Sequence, residues 1–309
     1  MVRIYTRKLY SVSIFLLAII FLITAGCLHK VNVDESGNKA AEVIQCAGSD
    51  TIVNVAQAWA EKYKEVERNV SVEVSGGGSG IGIAGLINGT LDIANSSRKI
   101  TAEEFEKVVK EREHEPIEHI VGYDALAVFV HKDNPLEEIS LEELAEIYGE
   151  KGTIDRWSQL GVEMPPGRDK IIVTSRQSNS GTYFYFREVV VGKKRDFRLG
   201  TIDLHGSKEV AELVGRTINA IGYTGMGYVT PEIKMLRISK RKGEKAITAS
   251  IETVLNGTYP VARPLLIYTC GQPPQHVQKF IDWIYMSEAQ NLLRQSGFVP
   301  LKTEIAEAK

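Results

Sequence analysis

Two polar loops carry the residue types needed to hold a small anion. The first, Ser75-Gly-Gly-Gly-Ser-Gly80, follows the alternating strand pattern Val70–Val74 and opens a helix near Ile81. Glycines let the main chain approach a ligand closely, Ser79 adds a hydroxyl donor, and the helix N-terminus adds its positive end. The pattern predicts an anion-binding loop, although a turn of this composition can also be a plain connection.

The second loop, Arg176-Gln-Ser-Asn-Ser-Gly-Thr182, follows the apolar run Ile171–Val173 and precedes a helical pattern. It brings a guanidinium and several hydroxyls, which are the donors that bind tetrahedral oxyanions. No carboxylate stands beside Arg176 in the sequence, so we expect an external anion to be its partner.

Alternating strands and helices must position these loops. Strands are predicted at Val43–Ala47, Val70–Val74 and Leu91–Ala94, with helical patterns between them. This order favours an α/β fold with a mainly parallel sheet covered by helices, in which ligands bind beyond the carboxyl ends of the strands. Three polar loops would then lie at one edge: 48–51, 75–80 and 95–98.

Further along the chain, Thr101 and Glu104 form a capping-box pattern that predicts a helix start. The apolar run Tyr123–Val130 is typical of a buried strand. The pattern at Pro274–Met286 predicts the last helix.

Composition limits the possible functions. The 309 residues are 43% hydrophobic, enough for a sizeable core and for two domains. The net charge of −2 argues against nucleic acid as a partner. Because the acidic surplus repels anions, an anion site must rely on local amides, hydroxyls and one or two arginines.

The N-terminus has the pattern of a targeting segment. Basic residues precede an apolar run at Val12–Ile23, and small residues lead to Cys27. We therefore expect a signal peptide over 1–26, lipidation of Cys27 and a tether over 27–40, which would anchor the protein to the outer face of the cytoplasmic membrane. An uncleaved membrane anchor is the alternative. Cys46 and Cys270 could pair in an oxidising compartment or remain buried free thiols.

Taken together, the motifs over residues 44–300 resemble those of the extracytoplasmic phosphate-binding protein of the high-affinity phosphate ABC transporter. The motifs are, in order, Gly48–Thr51, Ser75–Gly80, Asn95–Arg98, Arg176 with Ser180–Thr182, and Asn256–Pro260. The resemblance implies a two-lobed periplasmic-binding-protein-like fold of type II, in which each lobe is a mainly parallel sheet flanked by helices. The chain would cross between lobes twice. Lobe I would comprise 41–122 plus 260–309, and lobe II 123–259.

The resemblance also implies a set of phosphate-binding residues. They are Ser49, Asp50, Thr51, Gly78, Ser79, Gly80, Ser97, Arg98, Arg176, Ser180, Gly181 and Thr182. Ser79, Arg176 and Ser180–Thr182 match family ligand positions directly.

Three positions depart from the family pattern. Ser97 stands where an aspartate accepts the phosphate proton, and Asp50 stands where a threonine or serine donates. We expect the roles to be exchanged, with Asp50 as the acceptor; a helix N-cap for the following helix is the alternative. Ser178 replaces the aspartate that pairs with the arginine, here Arg176. For Arg98 two roles are open, contact with the anion or pairing with Asp92 or Asp50.

The predicted function is a receptor that closes over inorganic phosphate and presents it to a membrane-embedded ABC permease. A monomer without metal or cofactor is expected, since the histidines lack metal-ligand spacing and no Walker motif is present. A receptor for tungstate, molybdate or sulfate is the nearer rival. A serine-dependent phosphoesterase is the more distant one, because no GxSxG elbow occurs.

Overall fold

The computed structural model describes residues 41–301. The predicted signal peptide, Cys27 and the tether lie outside the described residues. The strands are β1 Glu42–Gly48, β2 Val70–Ser75, β3 Ile93–Ser96, β4 Pro116–His131, β5 Glu138–Ser140, β6 Ile172–Arg176, β7 Ile202–Leu204, β8 Ala220–Gly225, β9 Ile233–Met235, β10 Arg237–Ser239 and β11 Ala262–Cys270. The helices are α1 Val53–Val66, α2 Ser79–Asn88, α3 Ala102–Arg112, α4 Leu141–Tyr148, α5 Gly181–Phe186, α6 Ser207–Arg216, α7 Ile251–Leu255, α8 Gln275–Ile284 and α9 Ser287–Gln295.

The three N-terminal strands are parallel, as predicted. β1 lies between β2 and β3, with Ala47 opposite both Ser75 and Ala94. Parallel strands present their carboxyl ends at one edge, so the loops 48–51, 75–80 and 95–98 are neighbours there. The α/β prediction and the placement of these loops are confirmed.

Within residues 41–301 a nine-stranded curled sheet runs in the order β2-β1-β3-β11-β4-β8-β6-β7, with β9 paired to β4. The long strand β4 pairs antiparallel with β11 up to Ala125 and with β8 from Leu126 onward. It starts at Pro116, seven residues before the predicted strand. The parallel strands β8, β6 and β7 lie beyond it. An antiparallel pair, β4 and β11, thus joins two groups of parallel strands.

Two large apolar clusters flank this join. One contains Trp59, Phe280, Trp283, Val121 and Leu265. The other contains Trp157, Phe186, Tyr223, Ala125 and Val261. The chain therefore passes from one core to the other within four residues twice, along β4 and at β11, as a two-lobed periplasmic-binding-protein-like fold requires.

Local sequence explains several element boundaries. Thr101 and Glu104 form the predicted capping box of α3 through reciprocal hydrogen bonds. The helix α1 buries Val55, Trp59 and Tyr63 at helical spacing, and the Trp59 indole donates to the Ala289 carbonyl of α9 at 2.8 Å. The prediction that the last helix ends at Met286 is wrong, because α9 follows α8 after a short turn.

Cys46 and Cys270 are free thiols. Burial raises the pKa of the Cys46 thiol to about 12, so it remains a neutral core group at neutral pH. None of the helices within residues 41–301 combines the length and apolarity needed to cross a bilayer.

Candidate functional site

The glycine-rich loop between β2 and α2 has a conformation that glycine permits. Gly77 and Gly78 have φ values of +117° and +93°, which L side chains rarely adopt. The Gly77 amide donates to Asp50 Oδ1 at 2.8 Å, and the Gly78 amide donates to the Gly48 carbonyl at 2.8 Å. The loop thus folds against the end of β1 and places Ser79, which is fully buried, at the first turn of α2.

The second loop connects β6 to α5. Ser180 caps α5, with its Oγ accepting from the Thr182 amide at 3.1 Å. Because the Ser180 oxygen is an acceptor in these bonds, its own proton remains available for donation. Gly181 and Thr182 follow in the first turn and are both buried.

The second loop meets both the loop 48–51 and the glycine-rich loop. Thr51 Oγ1 and Thr182 Oγ1 lie 2.8 Å apart. The Asn179 carbonyl accepts from the Gly80 amide at 3.1 Å, and the Asn179 side chain donates to the Gly77 carbonyl at 2.8 Å. Elements 131 residues apart in sequence therefore bring their hydroxyls and amides to one place.

A second contact extends this cluster of hydroxyls. Ser79 Oγ lies 3.3 Å from Ser97 Oγ and accepts from the Ser97 amide at 3.1 Å. A Cβ atom at Gly181 would approach Ser79 Oγ to 2.3 Å and Ser97 Oγ to 2.7 Å. Only glycine at this position allows the three loops to approach so closely. We call Thr51, Ser79, Ser97 and Thr182 the hydroxyl cluster.

Ser49 lies at the edge of the cluster. It is buried, and its Oγ accepts from the Thr51 amide at 3.2 Å. It therefore fixes the start of the loop that carries Thr51.

Arg176 has an internal carboxylate partner. Its side chain is 1% exposed, and Nη2 donates to Asp50 Oδ2 at 2.8 Å. Nη1 donates to Ser207 Oγ at 2.9 Å, and Nε donates to the His205 carbonyl at 3.1 Å. Burial lowers the pKa of Arg176 below its ordinary value, and the Asp50 carboxylate opposes that shift. An arginine stays charged all the same.

This pair corrects two expectations. From the sequence an external anion was expected as the partner of Arg176, since no carboxylate stands beside it; the structure instead pairs it with an internal carboxylate, that of Asp50. The alternative of Asp50 as a helix N-cap is also wrong: Ile52 occupies that position and makes no side-chain capping bond. The two partners are 126 residues apart, so local sequence could not reveal the pair.

Sequence reasoning also missed a second buried ion pair, Arg263 with Asp124. The two side chains are 1% and 0% exposed, and Arg263 Nη2 lies 2.9 Å from Asp124 Oδ2. Burial raises the pKa of the Asp124 carboxyl, and Arg263 opposes the rise. A signal was present, since each residue interrupts an otherwise apolar strand pattern. A charge that must be buried needs a partner.

Arg98 pairs with neither of the acids expected for it. Its guanidinium makes two bonds to the Glu104 carboxylate, at 2.6 and 2.7 Å, and lies 5.0 Å from the centre of the Phe184 ring. Phe184 belongs to α5, so Arg98 connects the β3 to α3 loop with the second group of strands and helices. Contact between Arg98 and an anion stays a prediction.

A cavity of about 520 Å³ adjoins the site. Its lining includes Ser97 of the hydroxyl cluster and Arg263, together with Arg98, Phe184 and Tyr185. The hydroxyl cluster is therefore connected to a space larger than a small anion.

The hydroxyl of Ser79 has no histidine among its hydrogen-bond partners, which are the amide and hydroxyl of Ser97. Over residues 41–301, no group of three or more His, Cys, Asp or Glu side chains is placed to hold a metal ion. The arrangement offers several hydroxyl donors and two paired guanidiniums, which suits binding of an oxyanion.

Comparison with known proteins assigns the family. A model of the PBP superfamily domain matches residues 34–288. The phosphate-binding protein PstS of Pseudomonas aeruginosa is 31% identical over 274 residues, which cover 85% of this chain and 84% of that protein. The chain belongs to the PBP superfamily and is PstS-like.

Another relative and two solved structures also match most of the chain. Protein SphX of Synechococcus elongatus is 36% identical over 272 residues, covering 84% of this chain and 77% of that protein. Among solved structures, a putative phosphate ABC transporter substrate-binding protein from Clostridium perfringens with bound phosphate has a TM-score of 0.75 at 28% identity, covering 84% of this chain and all of that one. An ABC-type phosphate transport receptor from Vibrio cholerae has a TM-score of 0.66 at 26% identity, with 84% and 100% covered.

Proposed function

We propose that this PstS-like chain is a solute-binding protein that captures inorganic phosphate in its interlobe cleft and delivers it to an ABC permease. The observation that carries the proposal is the convergence of the hydroxyl cluster with two buried guanidiniums: Arg263 contacts Thr51 and Thr182, and Arg176 binds Asp50, the residue next to Thr51. Buried hydroxyls that mostly bond to each other can turn their protons to an incoming oxyanion, and such hydrogen bonds to a charged group are the stronger ones.

Twelve residues are proposed to form the phosphate site. They are Ser49, Asp50, Thr51, Gly78, Ser79, Gly80, Ser97, Arg98, Arg176, Ser180, Gly181 and Thr182. Three of them need rearrangement to reach a ligand, because the Gly78 amide donates to Gly48, the Gly80 amide donates to Asn179 and the Arg98 guanidinium binds Glu104.

Asp50 is proposed to discriminate between oxyanions. Phosphate near neutral pH keeps at least one proton and can donate it to a carboxylate, whereas sulfate keeps none and is repelled. Asp50 already accepts from Gly77 and Arg176, yet a carboxylate offers about four acceptor positions, so capacity remains. The alternative function is that of a receptor for tungstate, molybdate or sulfate, and the Asp50 carboxylate disfavours it.

The lobes are proposed to be 41–122 plus 260–309 and 123–259. The passage of β4 between the two cores at 121–125, and of β11 at 261–265, supports these bounds. Loops from both lobes meet at the hydroxyl cluster, so closure by hinge rotation would complete the site.

The N-terminal pattern supports an extracytoplasmic location with a lipid anchor at Cys27. In this proposal the chain catalyses no reaction, since binding uses many donors whereas a hydrolase needs one activated nucleophile.

Isothermal titration calorimetry with phosphate, arsenate, sulfate and tungstate at several pH values tests the function. We expect one phosphate per chain, and weak or absent binding of sulfate. A parallel assay of phosphomonoester hydrolysis separates receptor from enzyme: turnover that disappears in Ser79→Ala would favour the enzyme. The control is Ser287→Ala, which changes an exposed serine.

A further inference from the structure

Arg263 contacts three of the four residues of the hydroxyl cluster. Its Nη2 lies 3.0 Å from Thr182 Oγ1 and 3.3 Å from Thr51 Oγ1, and its Nη1 donates to the Ser97 carbonyl at 3.1 Å. Asp124 accepts from Nε and Nη2 at 3.2 and 2.9 Å. One guanidinium thus binds an acid and three members of the hydroxyl cluster.

The direction of these hydrogen bonds has a consequence for the threonines. An arginine N–H can only donate, so both Oγ1 atoms act as acceptors towards Arg263 and each keeps its own proton. Thr51 and Thr182 are 2.8 Å apart, so one hydroxyl donates to the other. The proton of the second hydroxyl is then directed to a further acceptor.

Arg263 is also placed where the two halves of the molecule join. It lies on β11 between Val261, which packs in one core, and Leu265, which packs in the other. Thr51 follows β1 and Thr182 lies in the first turn of α5, so the two threonines come from opposite sides of the join. A guanidinium at this point can contact both only while the two sides are together.

We infer that Arg263 is a positioning residue for the anion site: it orients the Thr51 and Thr182 hydroxyls so that the proton not shared between them is donated to the bound oxyanion. This inference rests on the proposed function. Asp124 balances the charge of Arg263, so the guanidinium acts through the threonines rather than as a net charge facing the ligand.

A purely structural ion pair would behave differently. A buried pair is costly to desolvate, and neutral replacement of both partners is often tolerated. If Arg263 only filled space and satisfied Asp124, its replacement would change phosphate affinity equally whether or not the threonine hydroxyls were present. Coupling to the hydroxyls therefore separates the two roles.

A double-mutant cycle measured by calorimetry tests the inference. The first change is the neutral pair Arg263→Gln with Asp124→Asn, which leaves no unpaired buried charge. The second is Thr51→Val with Thr182→Val, which removes both hydroxyls and keeps the shape. In the native background we expect the neutral pair to weaken phosphate binding by about 10- to 100-fold, as expected for one or two misdirected hydrogen bonds. In the valine background the same change should alter the dissociation constant by less than about threefold, within the error of additivity.

The matched control is Arg187→Gln with Asp196→Asn, a second arginine–aspartate pair, which contacts neither threonine. Its effect on affinity should be the same in both backgrounds. Equal losses for the Arg263 pair in both backgrounds, or no loss in either, would overturn the inference. If the native protein itself binds no phosphate, the proposed function fails instead.

Should the neutral pair not fold, as judged by thermal unfolding, Arg263→Lys serves in its place. A single ammonium keeps the charge but cannot contact Asp124 and both hydroxyls as the guanidinium fork does. The inference is supported if Arg263→Lys weakens phosphate binding in the native background but not in the valine background. It is overturned if Arg263→Lys binds phosphate with the affinity of the native protein.

Discussion

Replacement of Asp50 by asparagine should change which oxyanion the protein prefers. In the structure Asp50 is only 11% exposed and connects the Gly77 amide to Arg176. Asparagine keeps the shape and can still accept from Gly77, but it removes the negative charge that balances Arg176. The buried groups Arg176, Asp50, Arg263 and Asp124 then carry a net positive charge in place of zero.

Two changes lower the ratio of phosphate affinity to sulfate affinity in Asp50→Asn. Phosphate loses an ionised acceptor for its proton, and a hydrogen bond to a charged group contributes about 1.5–3 kcal/mol. Sulfate loses a repelling charge and gains an uncompensated guanidinium. Since about 1.4 kcal/mol is tenfold in affinity, the ratio of phosphate to sulfate affinity should fall by at least about tenfold, and by more than about a hundredfold at the upper limit.

Competition calorimetry measures this ratio directly, by titrating phosphate into protein preloaded with sulfate. Asp196→Asn is the matched control, because Asp196 also accepts from an arginine at 2.8 Å but is 76% exposed and lies in an exposed ion pair. We expect its ratio to equal that of the native protein. An unchanged ratio in Asp50→Asn would refute the assignment of Asp50 as the acceptor.

Three further substitutions give distinct outcomes. Gly181→Ala places a methyl group within 2.3 Å of Ser79 Oγ. Phosphate affinity should therefore fall by about tenfold or more, and X-ray scattering should show no compaction when phosphate is added. Compaction like that of the native protein would contradict this. Ser79→Ala removes the acceptor of the Ser97 amide, which predicts an affinity loss of about 10- to 100-fold by calorimetry; full affinity would contradict it. Burial raises the pKa of the Glu104 carboxyl, but its bonds to Arg98 and to the capping residue outweigh this and leave the pKa lowered. A carboxyl with a lowered pKa stabilises the fold above its unfolded pKa of about 4.3 and loses that contribution as pH falls. The thermal unfolding temperature of Glu104→Gln should therefore depend less on pH below about 5 than that of the native protein. An equal dependence would contradict this.

The sequence predicted the parallel strands and the edge at which their loops lie, because β-strand alternation and glycine turns are local patterns. The meeting of the loops 75–80 and 176–182 could be expected only from their shared chemistry. The capping box at Thr101 was predicted for the same local reason. The additional bonds from Arg98 to Glu104 were not predicted, because the capping pattern does not show that the same carboxylate can also bind an arginine.

The two buried ion pairs were not predictable from local patterns. Asp50 and Arg176 are 126 residues apart, and Asp124 and Arg263 are 139 apart. Asp124 and Arg263 lie on β4 and β11, whereas Asp50 follows β1 and Arg176 ends β6, so both pairs depend on the tertiary arrangement. An acid and a base that each interrupt an apolar strand were nevertheless a usable signal, because neither can be buried alone.

A crystal structure of the protein grown with inorganic phosphate would test the central claim most directly. It should show one tetrahedral anion among Ser79, Thr182 and Arg176, with the loops 75–80 and 176–182 both in contact with it. An anion bound elsewhere, or these two loops held apart at saturating phosphate, would contradict the assignment.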